Sequence, residues 1–116
     1  MLFRSELYLQ EGTEIARQIG RPWLLCAAFH AEGELALKQH QLERAFNAFR
    51  EVQRMASGGN QEYLAVALYG LAQVAKARGD TREAREQGQE SLRIMEAIKN
   101  RKAPEVRAWL EGLPAV

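Results

Sequence analysis

The chain has 116 residues and a formal net charge of +1, with one cysteine and three prolines. That length makes one domain with a real core and not two, and near-neutral charge removes any global electrostatic case for nucleic acid or an anionic membrane. The lone thiol, Cys26, cannot close an internal disulfide and suits a reducing compartment.

No apolar run approaches the roughly 20 residues that a membrane span needs. Arg4 and Glu6 interrupt the apolar residues at the N-terminus, where a secretion signal would be continuous, so a cytoplasmic protein is expected. Alanine, leucine, glutamate, arginine and glutamine dominate and β-branched residues are few, a bias toward helix throughout.

The first predicted helix runs from about Leu2 to Ile19, with Leu7, Glu11, Ile15 and Ile19 on one stripe and Phe3 and Tyr8 widening its apolar side. Gly20 stops it, and Pro22 suits the first position of the next helix, about Pro22 to Lys38. That second helix is apolar nearly all round (Leu24, Leu25, Cys26, Ala28, Phe29, Leu35, Leu37) and expects neighbours on more than one side. A third covers about Leu42 to Ala56, through Leu42, Ala45, Phe49, Val52 and Met55. His40 stands in the turn between them where glycine is usual, and is expected to end the helix before it.

Ser57-Gly58-Gly59-Asn60 is a loop, followed by a helix from about Gln61 to Ala77 through Leu64, Leu68, Leu71, Val74 and Ala75. Gly79 ends that element. Asp80 with Glu83 has the form of a capping box for the next helix, which runs to about Ile98 with Ala84, Leu92, Met95 and Ile98 inward. Asn100 and Pro104 bracket a short break. A last helix from Pro104 carries Val106, Trp109, Leu110 and Leu113, with Trp109 and Leu110 expected to pack it on the helix before.

Two of these stretches are one pattern written twice. Phe29, Gly33, Ala36, a polar break at Gln39-His40-Gln41, then Ala45 and Phe49 correspond to Leu68, Ala72, Ala75, a break at Gly79-Asp80, then Ala84 and Gly88. From Phe29 to Leu68 the offset is about 39 residues. A fixed period in this range denotes stacked helical hairpins, none of which buries its apolar face alone.

These residues resemble the tetratricopeptide repeat, a helix-turn-helix with W-x2-L-G-x2-Y in its first helix and A-x3-F in its second. Here the units read Phe29-x2-Glu32-Gly33-x2-Ala36 with Ala45-x3-Phe49, and Leu68-x2-Leu71-Ala72-x2-Ala75 with Ala84-x3-Gly88. Glu32, Ala36, Ala75 and Gly88 depart from the family's usual types. The resemblance implies an all-α fold of antiparallel helical hairpins stacked in a right-handed superhelix. It divides the single domain 1–116 into a half-repeat helix (1–20), two repeats (22–57 and 60–99) and a capping helix (103–113). The unit is longer than the family's usual length of about 34 residues. In that respect it is similar to the arrays at the C-terminal sensor end of large bacterial signal-transducing ATPases and transcriptional activators.

In this family the first helix of each unit lines the concave face and meets a protein or peptide partner. The resemblance therefore implies a groove of Ala27, His30, Ala31, Glu34 and Lys38 from one unit and Val66, Tyr69, Gly70, Gln73 and Lys76 from the next. The partner-binding expectation rests on His30, Glu34, Lys38, Tyr69, Gln73 and Lys76. Glu34 would repel a carboxylate, which argues against the mode in which family members clamp a C-terminal carboxylate.

Other chemistry finds little support. Cys26, His30 and Glu34 share a spacing of one helical turn, but that spacing is generic and a buried free cysteine is the expected state. Ser5, Ser57 and Ser91 have no glycine-flanked elbow and Gly58-Gly59 is no phosphate loop, so neither catalysis nor a cofactor is expected. Arg78, Arg82, Arg85, Arg93, Lys99, Arg101, Lys102 and Arg107 make the C-terminal half basic, yet Glu83, Glu86, Glu90 and Glu96 offset them, and nucleic acid is the disfavoured partner.

Leu2, Phe3, Leu7 and Tyr8 lack a hairpin partner. Either the chain is part of a longer array or this face pairs with a second copy, and self-association as a homodimer through the first helix is expected. The leading expectation is a recognition or sensor segment of a larger bacterial regulator. The alternatives are a structural dimerisation module with an idle groove, or a nucleic-acid binder using the basic side.

Overall fold

The computed structural model describes residues 22–115, which fold into helices alone. In chain order these are α1 (Pro22–Lys38), α2 (Leu42–Ala56), α3 (Gln61–Ala77), α4 (Thr81–Ala97) and α5 (Ala103–Glu111). Each helix packs on the one before it, and α1 also touches α3. The result is a helical solenoid with α1 and α3 in one layer and α2 on the other side of them. The first predicted helix, with Leu2, Phe3, Leu7 and Tyr8, lies outside the described residues.

The turns explain why the chain doubles back where it does. After α1, α3 and α4 one residue takes the left-handed conformation: His40 at φ 59°, Gly79 at φ 84° and Lys99 at φ 57°. In each case the next amide reaches back to an orphan carbonyl of the last turn. Gln41 donates to Ala36 at 2.8 Å, Asp80 to Ala75 at 2.9 Å and Asn100 to Met95 at 2.8 Å. This is the Schellman closure, for which glycine is best suited because it has no Cβ. His40 therefore ends α1 as its position in the sequence suggests, and Lys99 does the same for α4 without any sequence signal.

Among the described residues, helix starts are capped by side chains in two places. Asn60 Oδ1 accepts from the Tyr63 amide at 2.9 Å, and Asp80 Oδ1 accepts from the Glu83 amide at 3.0 Å. The predicted capping box is only half made. The Asp80 amide is already committed to Ala75, and Glu83 Oε1 accepts from Gln87 Nε2 at 2.8 Å instead of turning back.

The core has two lobes. Ala36, Ala45, Phe49, Leu71 and Val74 form one, and a larger one gathers Leu68, Ala84, Ile94 and Met95 with Val106 and Leu110 of α5. Phe49 is 1% exposed because glycines admit its ring from two helices. A Cβ on Gly33 of α1 would lie 2.7 Å from the ring, and one on Gly70 of α3 only 2.5 Å. Ser91 is the single buried polar residue among those described; its hydroxyl donates to the Ala65 carbonyl at 2.6 Å and ties α4 to α3.

Some expected core positions differ. Ile98 is 40% exposed, because α4 ends at Ala97 and the chain is already turning away; Ile94 is buried in its place. Leu64 and Leu92 are half-buried. Along α1 Cys26, Gly33 and Ala36 are buried and Leu24 is exposed; the helix has neighbours on more than one side, α2 and α3, as its composition suggests. The last helix begins at Ala103 and stops before Gly112, although Leu113 beyond it is still buried.

Candidate interaction groove

Residues one turn apart on α1 present one face, which brings His30, Glu34 and Lys38 into line. Val66, Tyr69, Gly70 and Gln73 of α3 lie opposite, and together they wall a cavity of about 180 Å³. Five of the six residues singled out for a groove thus meet around one space. The sixth, Lys76, does not; its ammonium lies over the Trp109 ring, 5.8 Å from the centroid. Ala27 and Ala31 are exposed on α1 and do not line the cavity. Gly70 contributes backbone only, its Cα closed against Phe49.

Phe49 and Leu37 form apolar parts of the lining, and Lys102 and Glu105 close the far wall from the start of α5. Those last two were missed in the sequence, although a signal existed. Applying the repeat offset once more carries Tyr63 to Lys102, Val66 to Glu105 and Gly70 to Trp109. Glu105 therefore stands one repeat offset on from Val66, which lines the same cavity from α3. A second cavity of about 310 Å³ continues the groove past His30 and Val66 toward Glu62, Tyr63, Asn100, Arg101 and Lys102. A wider depression of about 830 Å³ runs along α1 and α2, with Glu32, Arg44 and Glu51 among its walls and none of the predicted groove residues.

Tyr69 is not a free aromatic platform. Its ring meets Trp109 edge to face, with centroids 5.6 Å apart and planes at 86°. Burial first, then the Glu105 carboxylate beside it, push the Tyr69 phenol up to about 12, so it is a neutral hydrogen-bonding group at any ordinary pH. The packing expected of Trp109 is thus shared between α4, where it lies against Gly88, and Tyr69 of α3.

His30 sits edge-on to Phe49 with Nε2 3.3 Å from Glu34 Oε1. Burial holds its pKa below the ordinary value, opposed by Glu34 and assisted by the Lys102 ammonium. Cys26 is buried, and burial followed by the Glu51 carboxylate pushes its thiol up, away from the reactive thiolate. Among the described residues no three His, Cys, Asp or Glu side chains converge as a metal site would need.

The basic C-terminal half is laced with its own carboxylates: Arg82 with Glu86 at 3.5 Å, Arg93 with Glu90, and Arg107 with Glu96. Arg85 is turned onto the Pro114 carbonyl at 2.7 Å. No described helix is long and apolar enough to cross a membrane.

Scanned against known protein families, residues 23–97 match the tetratricopeptide repeat. The chain belongs to the tetratricopeptide repeat family. Searches of the curated proteins and of the solved structures each found no match. Tetratricopeptide repeats are a non-catalytic protein-interaction module, and their partners are proteins. The match spans α1 to α4; α5 lies beyond it and adds the third wall of the groove.

Proposed function

We propose that this tetratricopeptide repeat domain recognises a protein or peptide partner through its concave groove, as the recognition or sensor segment of a larger bacterial regulatory or signalling protein. The observation that carries this reading is the single cavity shared by His30, Glu34, Lys38, Tyr69 and Gln73, which draws on two repeats and is closed by α5. Its volume of about 180 Å³ suits one side chain of an extended partner rather than a free-standing ligand, since small-molecule pockets start near 300 Å³. The apolar lining of Phe49, Leu37 and Val66 favours an apolar side chain there, and the two carboxylates and two ammoniums of Glu34, Glu105, Lys38 and Lys102 fit polar or charged side chains flanking it. The long repeat supports the regulatory setting, and the paired arginines of α4 and α5 favour a protein partner over nucleic acid.

Photo-crosslinking tests the groove directly. A benzoylphenylalanine placed at Gln73 is expected to capture the partner, and one placed at exposed Glu86 on α4 is not. Equal capture at both positions, or undiminished capture from position 73 on substituting Glu34 and Tyr69 with alanine, overturns the reading.

A further inference from the structure

His30, Val66 and Lys102 are common to both concave cavities, so His30 stands where the two adjoin. Its two nitrogens are in opposite situations. Nε2 faces the exposed carboxylate of Glu34 at 3.3 Å, whereas Nδ1 is buried and has no hydrogen-bond partner among the described residues. A lone pair facing a carboxylate oxygen at that distance is repelled, so the neutral ring carries its proton on Nε2 and a bare lone pair on Nδ1.

Protonation changes what the wall can tolerate. It puts an N–H on Nδ1, where none of the described residues accepts a hydrogen bond, with Phe49 against the ring and the Lys102 ammonium nearby. A buried charged donor without an acceptor is among the costlier arrangements in a protein. The groups around the ring offer one way out. From its own helix it faces Glu34 and, farther along, Lys38; α2 contributes Phe49, which carries no charge. From α3 it faces Glu62 and the phenols of Tyr63 and Tyr69, and from the α4–α5 turn and α5 it faces Arg101, Lys102 and Glu105. The exposed carboxylates of Glu34 and Glu62 are the acceptors an outward-turned imidazolium would find.

We propose that His30 is a proton-operated gate in the concave groove: neutral, its ring lies on Phe49 and separates the two cavities; protonated, it swings off Phe49 toward Glu34 and Glu62, joins the cavities and changes the surface a partner meets. The gate is a regulation of the groove and rests on the reading of that groove as the binding face.

The test uses the full chain and no partner. The protein has two histidines, so imidazole signals are assigned with one His40→Gln variant. Carbon-edited NMR of the imidazoles and of the Val66 methyls, with the Gly70 amide, is followed from pH 8 to pH 5. The gate predicts a His30 midpoint below 6.5 and Val66 and Gly70 signals that move with that midpoint. In His30→Gln those two signals stay still, while helical circular dichroism is constant in both chains. A His30 midpoint at or above 6.5, Val66 and Gly70 silent through it, equal movement in His30→Gln, or loss of helix over the same range overturns the gate. Because nothing is bound in this experiment, a failure of Gln73 crosslinking sinks the groove reading and leaves the titration result intact.

Discussion

The two repeats solve one packing problem from opposite sides. In the first, the second helix supplies the bulk: Phe49 of α2 fills the space left by Gly33 and Gly70 on α1 and α3. In the second, the corresponding position on α4 is Gly88, one repeat on from Phe49, and the bulk comes from the next layer. Trp109, one repeat on from Gly70, lies 3.0 Å from a Cβ placed on Gly88, and Leu110 lies 2.7 Å from it. Large meets small in both, with the roles exchanged. Interiors are filled to a constant density, so the sum of facing volumes is held while the residue on either side is free to vary. Gly88, which breaks the family's pattern when its helix is read alone, is regular once α5 is opposite it.

That comparison can be broken at its largest point first. Phe49→Ala is expected to cost about 3–5 kcal/mol, because the ring is fully buried and glycines on both sides cannot collapse into the void. Urea denaturation monitored by helical signal measures it.

The two glycine sites should then respond unequally. Gly70→Ala meets a rigid ring at 2.5 Å and is expected to destabilise by about 1–3 kcal/mol. Gly88→Ala meets mainly the mobile end of Leu110, and the gain of about 1 kcal/mol in helix propensity offsets most of the strain. Midpoints that fall equally for the two variants would show that the sites are not exchanged versions of each other.

An interhelical hydrogen bond and the hairpin turns sharpen the comparison at lower amplitude. Ser91→Ala removes the hydroxyl tie to Ala65 and is expected to cost about 1 kcal/mol, with no counterpart in the first repeat. His40→Gly relieves a left-handed backbone that Gly79 adopts freely, and is expected to stabilise by about 0.5–1 kcal/mol, part of the relief being lost to glycine's greater freedom in the unfolded chain. A thermal melt that shows Gly79→Ala to be as harmless as His40→Gly would contradict the shared turn geometry.

The repeats also differ in their response to acid. His30 has a folded pKa below its unfolded value of 6.5, so the unfolded chain binds more protons in that window. Its contribution to stability is present above pH 6.5 and declines as pH falls through the folded pKa. Denaturation midpoints of the wild-type chain should fall more steeply below pH 6.5 than those of His30→Gln.

Much of this was legible in sequence, for identifiable reasons. The bounds of α1, α2 and α3 follow from Pro22, the Gln39-His40-Gln41 break and the Gly58-Gly59-Asn60 loop, all of which are local signals. His30, Glu34, Tyr69 and Gln73 could be placed on one face because helical spacing and the repeat register together fix direction. What stayed hidden depends on contacts distant in sequence. Lys99 has no feature that marks a left-handed turn, Tyr69 lost its free face to a tryptophan from the last helix, and Lys76 was drawn to that same ring. The place of Glu105 in the groove was available as arithmetic on Val66 but was obscured, because Trp109 stands where the same offset has Gly70. The capping box at Asp80 failed for a local reason of a different kind: one amide cannot serve both the closing of α3 and the opening of α4.

A double-mutant cycle at Phe49 and Gly70 tests the exchange most directly, because these residues also build the floor of the groove. Unfolding free energies would be measured for the wild-type chain, Gly70→Ala, Phe49→Ala and the double variant. The exchange predicts that Gly70→Ala is destabilising when Phe49 is present and neutral or stabilising when it is absent, a coupling of at least about 1 kcal/mol. The same cost for Gly70→Ala in both backgrounds would contradict it.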